Sequence, residues 1–188
     1  MTDDAQTTAW ALAAGQGDRA AAGAFVRATQ PHVRRFLAAL VSPGEADDLA
    51  QETYVRAMRS LPSFAGRSSA RTWLLGIARR VAVDQVRMAM SRPRTVPMSD
   101  SHDAADPHRS GFDRQVALEQ LITALPDDRR EAFVVTQLLG LSYAEAAEVC
   151  GCPVGTIRSR VARAREDLVA AAVADPAGRP RGRGDVAG

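Results

Sequence analysis

Residues 142–165 read SYAEAAEVCGCPVGTIRSRVARAR, and this stretch decides the fold class. Ser142 is placed to cap a helix while Glu145, three residues on, reaches back to the cap, as in a capping box. Gly151 suits a left-handed helix stop. Pro153 has no N–H to donate and sits where a second helix would begin. The segment is therefore predicted to form two short helices meeting at an angle across a Gly-Cys-Pro turn. At about 100° per residue, Ile157, Val161, Ala164 and Leu168 share one stripe of the second helix, with Thr156, Ser159, Arg160 and Arg163 roughly opposite. The stripe packs and the opposite face is free to meet a groove. Arg158 and Arg165, about 20° apart on one flank, suit phosphates, which set register without reading bases. Arg160 and Arg163 suit bidentate contacts to guanine. The expectation is a helix-turn-helix that binds DNA by sequence.

Working outward, Ala, Leu, Val and Arg at helical spacing fill residues 7–91 and again 113–174, with no alternating strand pattern. The fold is predicted to be all-α, with two small helical domains joined by a flexible linker. That linker, residues 92–112, holds three prolines, several serines, His102, His108 and the acids Asp100, Asp103 and Asp106, a composition too polar to bury its way into order. The tail, 175–188, is rich in Gly, Pro and Arg and is expected to be disordered.

The 188-residue chain has a net charge of only +2, so affinity for DNA would come from local clusters rather than a global basic field. All 24 basic residues are Arg, whose fork suits phosphate and guanine alike. No apolar run approaches membrane-spanning length, and MTDDAQTT lacks the features of a secretion signal. A cytoplasmic protein with no membrane partner is expected. Cys150 and Cys152 have one residue between them and no further ligands nearby, so they are read as small semi-buried thiols and not as a metal or redox site. No metal, cofactor or catalytic constellation is visible, and an enzyme is not expected.

In the N-terminal block, Ser42-Pro43-Gly44-Glu45 carries a second capping-box pattern with Pro at the first helical position. Ala46, Leu49, Ala50, Thr53, Ala57 and Leu61 make that helix's buried stripe. Asp48, Gln51, Glu52 and Val55 form a neighbouring exposed set, either a solvated face or a docking surface for a protein. A polar loop containing Ser68 and Ser69 then leads to a helix from about Ala70 to Met90. Trp73, Leu74, Ile77, Val81 and Met88 are its packing stripe, with Arg79, Arg80, Val83 and Arg87 on the other side. Arg71, these cations and the aromatics Phe64 and Trp73 could hold single-stranded nucleic acid by stacking and backbone contact; the two rings also read as core.

In this order the pieces resemble bacterial RNA polymerase sigma factors of the extracytoplasmic-function group. The resemblance covers about residues 10–172. It is carried by DDLAQETYVRA at 47–57, RTWLLGIARRVAVDQVR at 71–87, LPDDRREAF at 125–133 and GLSYAEAAEVCGCPVGTIRSRVARAR at 140–165. It implies a region 2-like domain over 7–91, a region 4-like domain over 113–174, and a factor that directs core polymerase to promoters. Asp48, Gln51, Glu52 and Val55 would dock on the β′ clamp helices, with the β subunit a further contact. Phe64, Ser68, Ser69, Arg71, Trp73, Arg79, Arg80, Val83 and Arg87 would open the −10 element and catch a flipped base, at an unstacking cost of a few kcal/mol. Thr156, Arg158, Ser159, Arg160, Arg163 and Arg165 would read the −35 element. The linker would thread the polymerase's RNA path as a nucleic-acid mimic. Many family members have Asn where this chain has Arg80, so an altered −10 preference is expected. Anti-sigma partners commonly pair with this family, and nothing in the chain encodes the pairing. Two other readings are a dimeric helix-turn-helix repressor with a ligand-responsive N-terminal domain, which would bind a palindrome unaided, and a polymerase adaptor that never contacts bases.

Overall fold

Helices account for the regular structure. The computed structural model describes residues 4–91 and 110–174, and no strand occurs among them. The order is α1 (Asp4–Gly15), α2 (Arg19–Leu40), α3 (Ala46–Ser60), a 3₁₀ turn (Leu61–Ser63), α4 (Ala70–Ser91), α5 (Ser110–Thr123), α6 (Asp127–Phe133) with a π-helical turn (Val134–Leu138), α7 (Tyr143–Cys150) and α8 (Val154–Ala174). Helix α5 takes in the last three residues of the segment expected to be linker. Most of that segment, with its acids and histidines, and the C-terminal tail lie outside the described residues.

Local sequence accounts for most helix ends. Asp18 caps α2 by accepting from the backbone N–H groups of Ala20 and Ala21 at 2.8 and 3.0 Å, satisfying donors that a helix start leaves orphaned. The box at Ser42 and Glu45 forms only in part. Glu45 N donates to Ser42 Oγ at 3.3 Å, and Ser42 Oγ donates to Glu45 Oε2 at 2.9 Å. Yet the regular helix begins at Ala46, one residue after Glu45, so the bonds stabilise the turn that leads into α3.

Helices α1 to α4 close around Phe25, Phe36, Leu37, Leu74 and Leu75, all essentially inaccessible; burying each is worth about 1.5–3 kcal/mol. The predicted α3 stripe is buried throughout, Leu61 included. Thr29, inside this core, donates to Phe25 O and is hydrogen-bonded to Tyr54 Oη, both at 2.8 Å, so its hydroxyl adds no unsatisfied polar group. Burial pushes the Tyr54 phenol up to about 12, the hydrogen bond shared with Thr29 offsetting part of the effect. At the end of α1, a Cβ built on Gly15 would lie 2.6 Å from Leu61 O. Gly15→Ala is therefore expected to cost about 1–3 kcal/mol by overpacking. A urea-unfolding midpoint equal to that of the parent would refute the close approach.

The second domain packs α6 against α8 and α7 against both α8 and α4. Its core runs through Val134, Val135, Val149, Ile157 and Val161, continuous with that of the first domain. In the π turn, Leu139 N reaches Val134 O at 3.0 Å, five residues back; the extra residue in the turn redirects the chain toward Gly140, whose φ of 72° suits glycine.

Candidate nucleic-acid interface

The 142–165 segment folds as its residues dictate. Ser142 Oγ accepts from Glu145 N at 3.2 Å and Ser142 N donates to Glu145 Oε2 at 2.9 Å, so both halves of the box are present. Gly151 is left-handed at φ 63°. Burial alone would push the Glu145 carboxyl up, but its bonds from Ser142 and the nearby Arg71 charge hold it below the ordinary range. Helix α7 is short, at 8 residues, but α8 continues for 21, longer than the motif alone suggests. Ile157, Val161 and Ala164 are buried and Leu168 half-buried, which turns Arg158, Ser159, Arg163 and Arg165 to solvent. Ser159 Oγ is engaged with Thr156 O at 3.0 Å. Arg165 donates to Gln137 Oε1 at 2.8 Å.

Arg160 sits differently from its expected face-mates. It is half-buried, pairs through Nε with Asp128 at 3.2 Å and points Nη1 at Cys152 Sγ, 3.7 Å away. It lines a cleft of about 360 Å³ between the two domains, opposite Arg79, Val83 and Arg87. The second turn of the reading helix thus faces α4.

That meeting shapes the other cluster. The Arg79 guanidinium pairs through Nε with the buried carboxylate of Glu131 on α6. Arg71 donates through Nη1 to Leu139 O at 3.2 Å and pairs with Asp4 at 2.9 Å. Thr72 Oγ1 lies 3.4 Å from Glu145 Oε1. The first and third turns of α4 therefore touch the second domain. Burial pushes Glu131 up, the Arg79 charge offsetting part of the push, and its third neighbour is the Cys150 thiol. Cys150 itself is buried and shifted well above the ordinary thiol range by desolvation, which makes it inert.

The rest of the α4 set is more open. Arg80 and Arg87 are exposed, Val83 half-buried. Ser69 caps α4, its Oγ accepting from Thr72 N at 3.1 Å, and Ser68 is half-buried beside it. Phe64 and Trp73 tilt against each other at 4.8 Å between centroids; both lie partly buried on the core, so the rings pack together and keep one side open. Met88, expected on the packing stripe, is 53% exposed. It lies in the final turns of α4, where Val86 and Arg87 are exposed as well, and there the helix no longer packs inside the bundle. On α3, Asp48, Gln51, Glu52 and Val55 are all exposed, Val55 by 45%. Glu52 is paired with Arg56, which also binds Asp84.

Sequence reasoning missed Glu131, Asp128 and the Leu139 carbonyl, the second domain's side of the contact. The legible signal was an acid beside Ala132 on the inward side of α6, where an unpaired carboxylate would be costly. No group of three or more potential metal ligands occurs among the described residues, and no described helix is long and apolar enough to cross a membrane.

Comparison with known proteins finds two family matches. The description "Sigma-70 region 2" matches residues 25–92, and "Sigma-70, region 4" matches residues 115–168. A probable RNA polymerase sigma-C factor of Mycobacterium bovis is 53% identical over 176 residues, spanning 93% of this chain and 95% of that protein. An ECF RNA polymerase sigma-E factor of Haemophilus influenzae is 36% identical over 165 residues, spanning 80% and 87%. Among solved structures, the sigma factor RpoE in complex with the anti-sigma factor NepR from Bartonella quintana superposes with a TM-score of 0.61 at 28% identity, over 82% of this chain and 96% of that one. CnrH in complex with the cytosolic domain of CnrY gives 0.71 at 24% identity, over 90% and 99%, a likeness of fold.

Proposed function

The chain belongs to the sigma-70 family of RNA polymerase sigma factors, in the extracytoplasmic-function group, and from that premise we propose how its residues divide the work. It is an alternative sigma factor: it binds core RNA polymerase and directs promoter-specific initiation. Residues 7–91 act as the region 2 domain and 113–174 as the region 4 domain. Asp48, Gln51, Glu52 and Val55 dock on the β′ clamp helices, an exposed acidic patch with one apolar anchor. Arg158 and Arg165 hold phosphates of the −35 duplex, and Thr156, Ser159, Arg160 and Arg163 face its major groove. Phe64, Ser68, Ser69, Arg71, Trp73, Arg79, Arg80, Val83 and Arg87 receive the separated −10 strand. The factor works in the cytoplasm and supplies recognition, with the nucleotide chemistry left to the polymerase.

The observation that carries this reading is the α4–α6–α7 contact. A repressor has no reason to hold a strand-binding face against the domain that carries the reading helix, whereas a two-element reader does: Arg71 and Arg79, two −10 candidates, are held by Leu139 O and Glu131. The described arrangement is a resting form, and core polymerase parts the domains so that the two faces can meet DNA one promoter spacing apart. An anti-sigma partner, of the kind bound to the RpoE structure, would act on the same equilibrium. The test is transcription from a genomic promoter library by core polymerase with and without the protein. New start sites sharing two spaced upstream elements are expected. Tight binding of a palindrome by the protein alone, with no new transcripts, would establish a repressor instead.

Arg80 gives a sharper expectation, since it is exposed on the strand-facing side of α4 and stands where many relatives have Asn. A guanidinium cannot offer the donor-plus-acceptor edge of an amide. Arg80→Asn is expected to reorder activity across a full set of −10 variants. Identical profiles for parent and variant would show that this position does not read a base.

A further inference from the structure

We propose that a cationic band, running from Arg27 and Arg35 on α2 past Arg71 to Arg165 on α8, binds the phosphate backbone of duplex DNA without reading its sequence. Its α2 residues lie outside the two promoter-reading faces, which the band joins at Arg71 and Arg165, and it requires no polymerase.

Its anchor is the outer side of α2. Arg27, Pro31, Arg34 and Ala38 share one strip of the helix and Arg35 flanks it. Arg27, Pro31, Arg34 and Arg35 are exposed. Two concave clefts meet on this helix. One, of about 540 Å³, is lined by Arg27, Arg34 and Arg35; the other, of about 430 Å³, by Arg35, His32, Arg71 and Gln137. They share Pro31 and Arg35, so the charged surface is continuous. Gln137 carries it on to the reading helix through its 2.8 Å bond from Arg165.

The charge is not cancelled locally. Arg34 is paired with Asp47, and Arg71 with Asp4. Among the described residues, Arg27 and Arg35 have no ion-pair partner, and Arg71 Nε is buried without a hydrogen bond. Five guanidiniums thus face the two carboxylates paired with them and Glu145 beside Arg71, an excess as large as the +2 of the whole chain. So strong a segregation of charge in a nearly neutral molecule marks an electrostatic footprint. The repeat also suits a nucleic-acid strand. Arg27 and Arg35 are eight residues apart, about 12 Å along a helix, which spans three or four phosphates at about 3.4 Å of axis per strand charge. Guanidiniums are charged at every relevant pH and present forked donors to phosphate.

The experiment titrates the full-length free protein against a random-sequence duplex at several salt concentrations. Each phosphate contact contributes about 0.9 to the slope of log K against log salt, so the double variant Arg27→Gln, Arg35→Gln is expected to lower that slope by about 1.8. Thermal unfolding of the variant, expected to match the parent because both side chains are exposed, confirms that the fold is intact. In polymerase holoenzyme the variant keeps the parent's start sites, so failure here is distinct from failure of the sigma-factor assignment. An unchanged slope overturns the proposal. So does a variant that keeps its DNA slope but loses affinity for core polymerase, which would make the band a protein-docking surface.

Discussion

Glu131→Ala is expected to open the molecule. The substitution removes the carboxylate that pairs with Arg79 across the domain interface and leaves a guanidinium against a largely dry surface. Breaking a buried pair by deleting one partner costs about 3–5 kcal/mol. Arg79 keeps 30% of its side chain in water and is fully rehydrated once the domains part, so about 2 kcal/mol is the appropriate figure, roughly a 30-fold shift toward the open form. Small-angle scattering should show a larger radius of gyration for the variant, and its affinity for single-stranded −10 DNA should rise without polymerase. The charge-exchanged pair Glu131→Arg with Arg79→Glu should restore compactness, a coupling that loss of packing alone would not produce. Scattering curves that superpose on the parent would sink the claim that this pair holds the two domains together.

The pH dependence contributed by Glu131 has a definite sign. Burial raises its pKa in the closed form, so the closed form binds the proton more tightly than an open form in which the carboxyl is solvated. By linkage, the penalty for closing with an ionised Glu131 is present above the raised pKa and is relieved as pH falls through it. Glu131→Gln, which keeps the volume and can still accept from Arg79, should therefore stay closed and lose this dependence. The ion pair is better described as a register for the interface than as its main source of stability, which lies in the apolar packing of α4 on α7.

Arg163→Ala is expected to cost about 1–3 kcal/mol at one position of the −35 element, about 5- to 150-fold in discrimination there. Arg163 is exposed on α8. Arg160, about five sixths of a turn toward the N-terminus, is tied to Asp128 and must first be released. The two variants should differ: Arg163→Ala weakens reading alone, whereas Arg160→Ala also loosens the cleft between the domains. Transcription by holoenzyme from a library of −35 variants checks this. A uniform loss across all sequences would mean that Arg163 holds a phosphate, the behaviour expected of Arg158 and Arg165.

Some of this was legible because short-range chemistry fixes it. Ser142, Glu145 and Gly151 lie within one segment, and their cap and stop follow from backbone donors and a left-handed φ whatever surrounds them. The stripes of α3 and α8 follow from helical period alone. Ser42 and Glu45 illustrate the limit: the pattern predicts a helix with Pro43 at its first position, yet the regular helix begins three residues later at Ala46, because a pattern does not fix where regular dihedrals begin. Met88 failed for a related reason. Periodicity says which side a residue shares, and whether a neighbour covers that side depends on how far the bundle extends.

By itself, the sequence determined the all-α class, the two helical blocks, the helix-turn-helix and the family, since caps, periods and motifs are written in residues a few positions apart. Only the tertiary structure decided that Arg79 meets Glu131, that Arg71 meets Leu139 O, and that Arg160 is drawn toward Asp128 and away from solvent. Those pairs join residues 52, 68 and 32 positions apart, and no local rule selects one distant partner among many; packing α4 against α6 and α7 does.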